Sequence, residues 1–328
     1  MVLPSELFPE PDSVPTTLQP RLFKATGARV LPQVEWVEIQ VKSVLNRVQG
    51  MSFKWSINPY RGCSHGCKFC YARLTHWYLD QDGVNSWSSR IFVKINAPEV
   101  LRRELAHHSW TREEVHLGTA TDPYQPAEGS YKISGQILEA LTPVNIVTRS
   151  TMVVRDVDLL TRLASGPGAM VCFSIATMDA AVAREIEPDV PPPLRRLEAL
   201  RSLALAGVPV AVLLAPVIPG ITDHPKQLAA VVMAAKDYGA SSLWTNALHL
   251  GDITRQAFFQ YLEHRRPELI PEYERMYRGK YAPSAYRRRV QEVVGALKVR
   301  HGLHTSSEAR RRHDDAPAPH SPQQLFLF

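Results

Sequence analysis

Between residues 51 and 263, short apolar or alternating runs bounded by turn residues alternate with longer stretches whose apolar positions recur every three to four residues. A period of two marks a half-buried strand, and a period of 3.6 marks a helix with one buried face. Strands are therefore expected at 53–57, 91–95, 115–118, 144–148, 170–175, 209–215 and 241–245. Helices are expected near 68–78, 98–107, 131–141, 156–163, 194–206, 225–238 and 254–263. This alternation is the signature of βα units around a parallel sheet, an α/β fold. Six or seven units suit an open doubly wound sheet or a barrel, and the pattern does not choose. Polar residues recur at strand ends, at Asn58, Asn96, Thr119, Thr148, Ser174 and Asn246. Parallel α/β architectures bind ligands beyond those ends, so one site built from many strands favours a barrel or partial barrel. Taken singly, each such residue equally fits a helix cap.

The flanks break the pattern. Residues 1–50 are rich in proline (LFPEPDSVP, LQPRLF, LPQVEW) without a sustained helical period, and an irregular N-terminal arm is expected there. Residues 51–263 form the core. Residues 264–303 read as a basic helical C-terminal extension, and the polar composition from 304 to 328 predicts a disordered tail, although it ends in QLFLF.

With 45% hydrophobic and 21% charged residues among 328, the chain buries a sizeable core, and fibrous, collagen-like or wholly disordered classes are excluded. The longest apolar run, 208–221, has three prolines and falls short of the roughly 20 residues that span a bilayer. Four cysteines are too few for a disulfide scaffold, and the opening MVLPSELFPEPD lacks the basic-then-apolar order of an export signal. A soluble, cytoplasmic protein without membrane partners is expected. Its formal charge of +6 is uneven: residues 264–312 hold 13 Lys and Arg against 5 Asp and Glu, leaving 25 against 27 elsewhere.

Three of the four cysteines share one loop, NPYRGCSHGCKFCYAR at 58–73. Thiolates at Cys63, Cys67 and Cys70, spaced C-x3-C-x2-C among glycines that permit tight turns, can converge on one inorganic centre. A four-iron cluster wants four ligands, so three thiolates leave one iron open. The alternative is a zinc site completed by His65 or His76, although no second hook of paired ligands follows.

The loop, with Phe69 just before its last cysteine, resembles the radical S-adenosylmethionine (SAM) superfamily. Together with GTATDPYQPAE at 118–128 and VTRSTMVVRDVDLL at 147–160, it is similar to the spore photoproduct lyase-like branch, also called DNA repair photolyase, over residues 44–262. The resemblance implies a partial (β/α)6 radical SAM barrel in which Cys63, Cys67 and Cys70 each bind one iron of a 4Fe-4S cluster and S-adenosylmethionine chelates the fourth. One electron, from a low-potential donor such as flavodoxin or ferredoxin, would cleave the sulfonium to methionine and a 5′-deoxyadenosyl radical. It further implies Phe69 and Tyr71 near the adenine, Gly118 and Thr119 near the methionyl amine, Ser174 near the ribose, and Arg196 at the cofactor carboxylate, with Arg195 as its substitute. The family's G-G-E is replaced here by G-T-A-T-D. Helix packing accounts equally for the two aromatics. Asp122, followed by Pro123, reads as a ligand contact or a turn start. Cys172 shares a strand face with Ser174 and reads as a buried structural thiol rather than a hydrogen donor.

The arginines and tyrosines of the basic segment suit a phosphate backbone as well as a solvated helix face. Gln324, Leu325, Leu327 and Phe328 resemble the Q-L-x-L-F peptide that docks on the bacterial DNA sliding clamp, while an apolar terminus that folds back on the body is the alternative. The expectation is a radical SAM enzyme acting on DNA, a lyase-like lesion repair. Radical SAM modification of RNA or protein and a non-catalytic zinc-containing nucleic-acid-binding module are the alternatives.

Overall fold

The computed structural model describes residues 20–23, 34–77, 79, 81–140 and 143–303. Its strands are β1 (Pro20–Phe23), β2 (Val34–Ile39), β3 (Asn46–Arg47), β4 (Trp55–Ile57), β5 (Tyr60–Arg61), β6 (Arg90–Lys94), β7 (Val115–Leu117), β8 (Val144–Thr148), β9 (Ala169–Ser174), β10 (Val210–Val217) and β11 (Ser242–Ala247). The larger sheet runs β11-β10-β9-β8-β7-β4-β3. Its strands from β4 to β11 are parallel, and the two-residue β3 pairs antiparallel on the outside of β4. Each parallel strand lies beside the one that preceded it into the sheet. Right-handed crossovers then put the connecting helices on one side, the winding of a barrel, whereas a doubly wound sheet reverses at a switch point. Because β11 and β3 remain separate edges, the six parallel strands form a partial barrel.

The helices Ala97–Leu105, Ile133–Ala140, Val157–Ser165, Pro193–Leu205 and Pro225–Asp237 fall within two residues of their expected bounds. They pack on alternate strand positions. In β8, Val144, Ile146 and Thr148 are buried while Asn145 and Val147 are half-buried. Register carries this parity across the sheet: Ile146 lies beside Val171, and Val171 beside Val210, in the core that includes Leu138, Leu160 and Leu200. The opposite face carries Val147 beside Cys172, and Ser174 beside Leu213 beside Trp244. That face is the hollow of the partial barrel.

Three expectations need correction. Residues 34–39, assigned to an irregular arm, form β2 of a second sheet ordered β1-β2-β6-β5. The strand VEWVEI is too short, and follows Pro32 too closely, to stand out from that arm. β6 is a strand as expected, but it pairs with β2 and β5 instead of joining the parallel sheet, which leaves six βα units rather than seven. The helix expected at 68–78 shrinks to a 3-10 turn, Tyr71–Arg73, and the short Leu74–Trp77, because Cys70 is extended (φ −66°, ψ 113°) and keeps the cysteines in the loop. The tail at 304–328, with its clamp-like peptide, lies outside the described residues.

Candidate functional site

The cysteine loop leaves β4 at the carboxyl end of the sheet and doubles back through β5. Gly62 turns there with φ +81°, and a Cβ on it would lie 2.7 Å from His76 Cε1 and 2.8 Å from the Arg90 carbonyl oxygen. Only glycine lets the loop press that closely on β6. The Gly62 carbonyl accepts from Thr121 Oγ1 at 2.7 Å and Gln125 Nε2 at 3.1 Å, while Gln125 Oε1 accepts from the Ser64 amide at 3.0 Å. Further on, buried Arg73 donates to the Cys67 carbonyl at 3.1 Å and the Val84 carbonyl at 2.8 Å, and Thr254 Oγ1 donates to the Cys70 carbonyl at 3.3 Å. The loop is thus held by its backbone oxygens.

Cys63 and Cys67 are buried, Cys70 is half-buried, and none is in a disulfide. Burial raises the Cys67 thiol well above the ordinary range, the Arg149 guanidinium pulls it back, and the charges of Glu187, Cys70 and Cys63 raise it further. Burial and the charge of Cys63 likewise raise Cys70. Three thiols in one loop, not bonded to one another and two of them raised by burial, fit a cationic iron centre that deprotonates its ligands. The zinc alternative fits poorly. His76 Nε2 donates to the Arg90 carbonyl at 2.9 Å, and His65 Nδ1 lies 3.3 Å from Asp122 Oδ2. No three His, Cys, Asp or Glu side chains among the described residues converge closely enough to hold a single ion.

Gly118 ends β7 with φ +93°; a Cβ there would meet Pro123 Cδ at 2.4 Å and the Val147 carbonyl at 2.6 Å. Beside it, Asn58 donates through Nδ2 to Thr119 Oγ1 at 3.3 Å and accepts from the Ala120 amide at 2.7 Å, and the Tyr71 hydroxyl donates to the Thr119 carbonyl. Tyr71 and Thr119 therefore meet, bridging the cysteine loop to the end of β7. Asp122, next in that turn, accepts from the Tyr124 amide (2.9 Å), Thr148 Oγ1 (2.7 Å) and the Arg149 amide (2.7 Å). With His65 on the same carboxylate, Asp122 joins three segments rather than facing a ligand. Burial alone would depress the His65 imidazole, but the charges of Cys63 and Asp122 outweigh it and raise it to about 10.

A second set of charges crosses the mouth. Phe69 is buried, and the Arg149 guanidinium lies 5.5 Å from its ring centre. Arg149 Nε donates to Glu187 Oε1 at 2.9 Å, and Arg196 donates to Glu187 Oε2 at 2.6 Å and to the Ser174 carbonyl at 2.5 Å. Burial would raise the Glu187 carboxyl, yet Arg196 and Arg149 hold it below its ordinary value. The Arg196 side chain is 1% exposed and its two terminal nitrogens brace Glu187 and the Ser174 carbonyl, while its Nε is buried without a partner. Arg195 pairs with Glu198 on the surface, away from this network. The Ser174 hydroxyl is buried and donates to the Ala215 carbonyl at 3.1 Å. Arg149, 23% exposed and facing Cys67, is the cation that the sequence reading missed. Its only signal was its place one residue beyond β8, in the string VTRS.

The family model described as the Radical SAM superfamily matches residues 57–232. The chain belongs to the radical SAM superfamily. Over 318 residues it is 36% identical to an uncharacterized protein of Mycobacterium tuberculosis, covering 94% of this chain and 92% of the relative. The Radical SAM Nalpha-GlyT isomerase of Pseudomonas phage M6 is 26% identical over 171 residues, 51% of this chain and 34% of the isomerase. Among solved structures, a spore photoproduct lyase double mutant with bound AdoMet and dinucleoside spore photoproduct shares the fold with a TM-score of 0.60 at 15% identity, covering 80% of this chain and 78% of the other. As a radical SAM protein the chain uses a 4Fe-4S cluster and S-adenosylmethionine. Cys63, Cys67 and Cys70 would hold that cluster, which supplies the one-electron cleavage of the sulfonium. No helix among the described residues is long and apolar enough to cross a membrane.

Proposed function

We propose that this enzyme directs the 5′-deoxyadenosyl radical at DNA, reversing a base lesion in the manner of a spore photoproduct lyase. The observation that supports it is an uncrosslinked three-cysteine loop at the mouth of an open-edged parallel sheet. That fold is shared over about four fifths of both chains with a lyase whose structure holds AdoMet and a dinucleoside photoproduct together. In this reading Phe69, Tyr71, Gly118, Thr119 and Ser174 shape the cofactor's cavity. Arg149, kept charged against burial by Cys67 and Glu187, supplies the fixed positive charge there. The phage isomerase favours a second reaction type in the same chemistry, a rearrangement instead of a bond cleavage.

Anaerobically reconstituted protein, a chemical reductant and deuterated S-adenosylmethionine are to be incubated with irradiated DNA, unirradiated DNA and RNA. Label transfer confined to irradiated DNA is expected; label only in RNA, or none beyond 5′-deoxyadenosine, would sink the lesion reading. Docking of Gln324, Leu325, Leu327 and Phe328 on a sliding clamp belongs to the same proposal. Deleting residues 324–328 should eliminate clamp binding and leave cofactor cleavage intact, and unchanged clamp affinity would refute the docking.

A further inference from the structure

The sheet's last strand is not bare. The helix Ser284–His301 runs beside β11, and Gln291 Nε2 donates to the Thr245 carbonyl at 2.8 Å, where a neighbouring strand would otherwise pair. Strand and helix enclose two adjoining hollows of about 360 and 300 Å³ that share Asn246 and Gln291. Arg287, Arg288 and Ser284 line the larger one, beside the carboxyl end of β11. Since all six parallel strands end on that side, the groove reaches the same end of the sheet as Arg149 and the cysteine loop. Tyr281, 53% exposed, lies against Arg287 of that lining. The Lys280 ammonium and the Arg287 guanidinium each lie 5.4 Å from its ring centre, and the His249 ring lies 4.9 Å away.

Protein contacts do not account for these cations. Arg287 is aimed by one bond, from Nε to the Ala282 carbonyl at 3.1 Å. The carboxylate paired with Arg288, Glu292, is 4.0 Å away, and both side chains are about 70% exposed. Arg287, Arg288 and Arg289 follow one another near the amino end of an 18-residue helix with no acidic residue in its first turn. Positive side chains are disfavoured at that end of the helix dipole. A polyanion explains both their sign and their freedom. An exposed aromatic flanked by cations adds the stacking surface that single-stranded nucleic acid uses.

We infer that this groove holds a single strand of the DNA substrate, its phosphates on Arg287 and Arg288 and one base stacked on Tyr281. The inference rests on the proposed DNA substrate and adds the surface that feeds it into the mouth. Fluorescence anisotropy with labelled single-stranded DNA, duplex DNA and RNA of one sequence tests it, using full-length, cluster-loaded protein whose fold is checked by thermal melting. Arg287→Glu with Arg288→Glu should weaken single-strand binding at least about tenfold and flatten the slope of log affinity against log salt by about 1.4, at roughly 0.7 per lost phosphate contact. Tyr281→Ala should weaken it by about tenfold. Arg300→Glu makes the same change per residue, half that of the double variant, at the exposed far end of the helix and should stay within about twofold of the wild type. Wild-type affinity in both the double variant and Tyr281→Ala would overturn the inference while leaving a DNA substrate standing. Wild-type protein that binds RNA or no nucleic acid, but not DNA, would overturn both.

Discussion

Arg149 and Arg196 at the mouth of the sheet, and Arg287 and Arg288 at its open edge, are one side chain in opposite circumstances. The first two share a single buried carboxylate, Glu187, at 2.9 and 2.6 Å, and Arg196 is further tied to the Ser174 carbonyl. The second two are exposed, with one backbone bond, one exposed tyrosine ring and one loose surface pair between them. A buried ion network fixes charge in place because removing either sign strands the other in low dielectric. An exposed arginine makes no such commitment, and its field is available to whatever approaches. The mouth thus carries a permanent electrostatic arrangement around three thiols, and the edge carries a reserve of charge for a partner. Lys94 on β6 is a third case. It is 6% exposed, it is near enough to Arg61 and Glu104 to sense their charges, and burial followed by Arg61 pushes it down to about 7.

These contrasts can be broken in order of severity. Cys67→Ala should abolish reductive formation of 5′-deoxyadenosine, measured by mass spectrometry after anaerobic loading; retained turnover would separate the loop from the chemistry. Glu187→Gln should cost about 3–5 kcal/mol in a denaturant titration at pH 7, because two guanidinium groups lose their counter-charge. The depressed carboxyl of Glu187 means that the wild type keeps this contribution above the ordinary carboxylate range and loses it only as the pH falls through the lower folded value. A neutral-pH loss below about 1 kcal/mol would show the network to be loosely held. Lys94→Met should raise the melting temperature below pH 7, the gain fading toward pH 10. The unfolded chain binds that proton more tightly than the folded one across this window, so wild-type stability itself rises with pH. A gain independent of pH would assign the effect to packing instead. Arg288→Gln, the mildest, should change stability by no more than about 0.5 kcal/mol, since nothing in the fold depends on it; a larger loss would place it with the buried set.

Local pattern made most of the barrel legible. β8 occupies 144–148 as expected, and the helix bounds follow apolar periodicity because each helix buries one face on the sheet. Strand partnership was not legible: nothing in the run RIFVK says that β6 joins β2 and β5 rather than β7, since pairing between strands distant in sequence is decided by packing after the strands exist. The three cysteines were plain from spacing. Glu187 was hidden, because it lies in no motif and matters only through Arg149 and Arg196, 38 and 9 residues away. Asp122 was seen but undecided between ligand and turn; its three donors and His65 settle it as a joint between segments.

The cysteine loop takes its shape largely from hydrogen bonds to the carbonyl oxygens of Gly62, Cys67 and Cys70. Metalloproteins whose ligands also carry the local fold collapse when stripped. Here backbone partners drawn from β6, the turn after β7 and the helix Asp252–Arg265 set the path of the loop, so a single cysteine can be exchanged at the cost of one ligand and not of the loop's course.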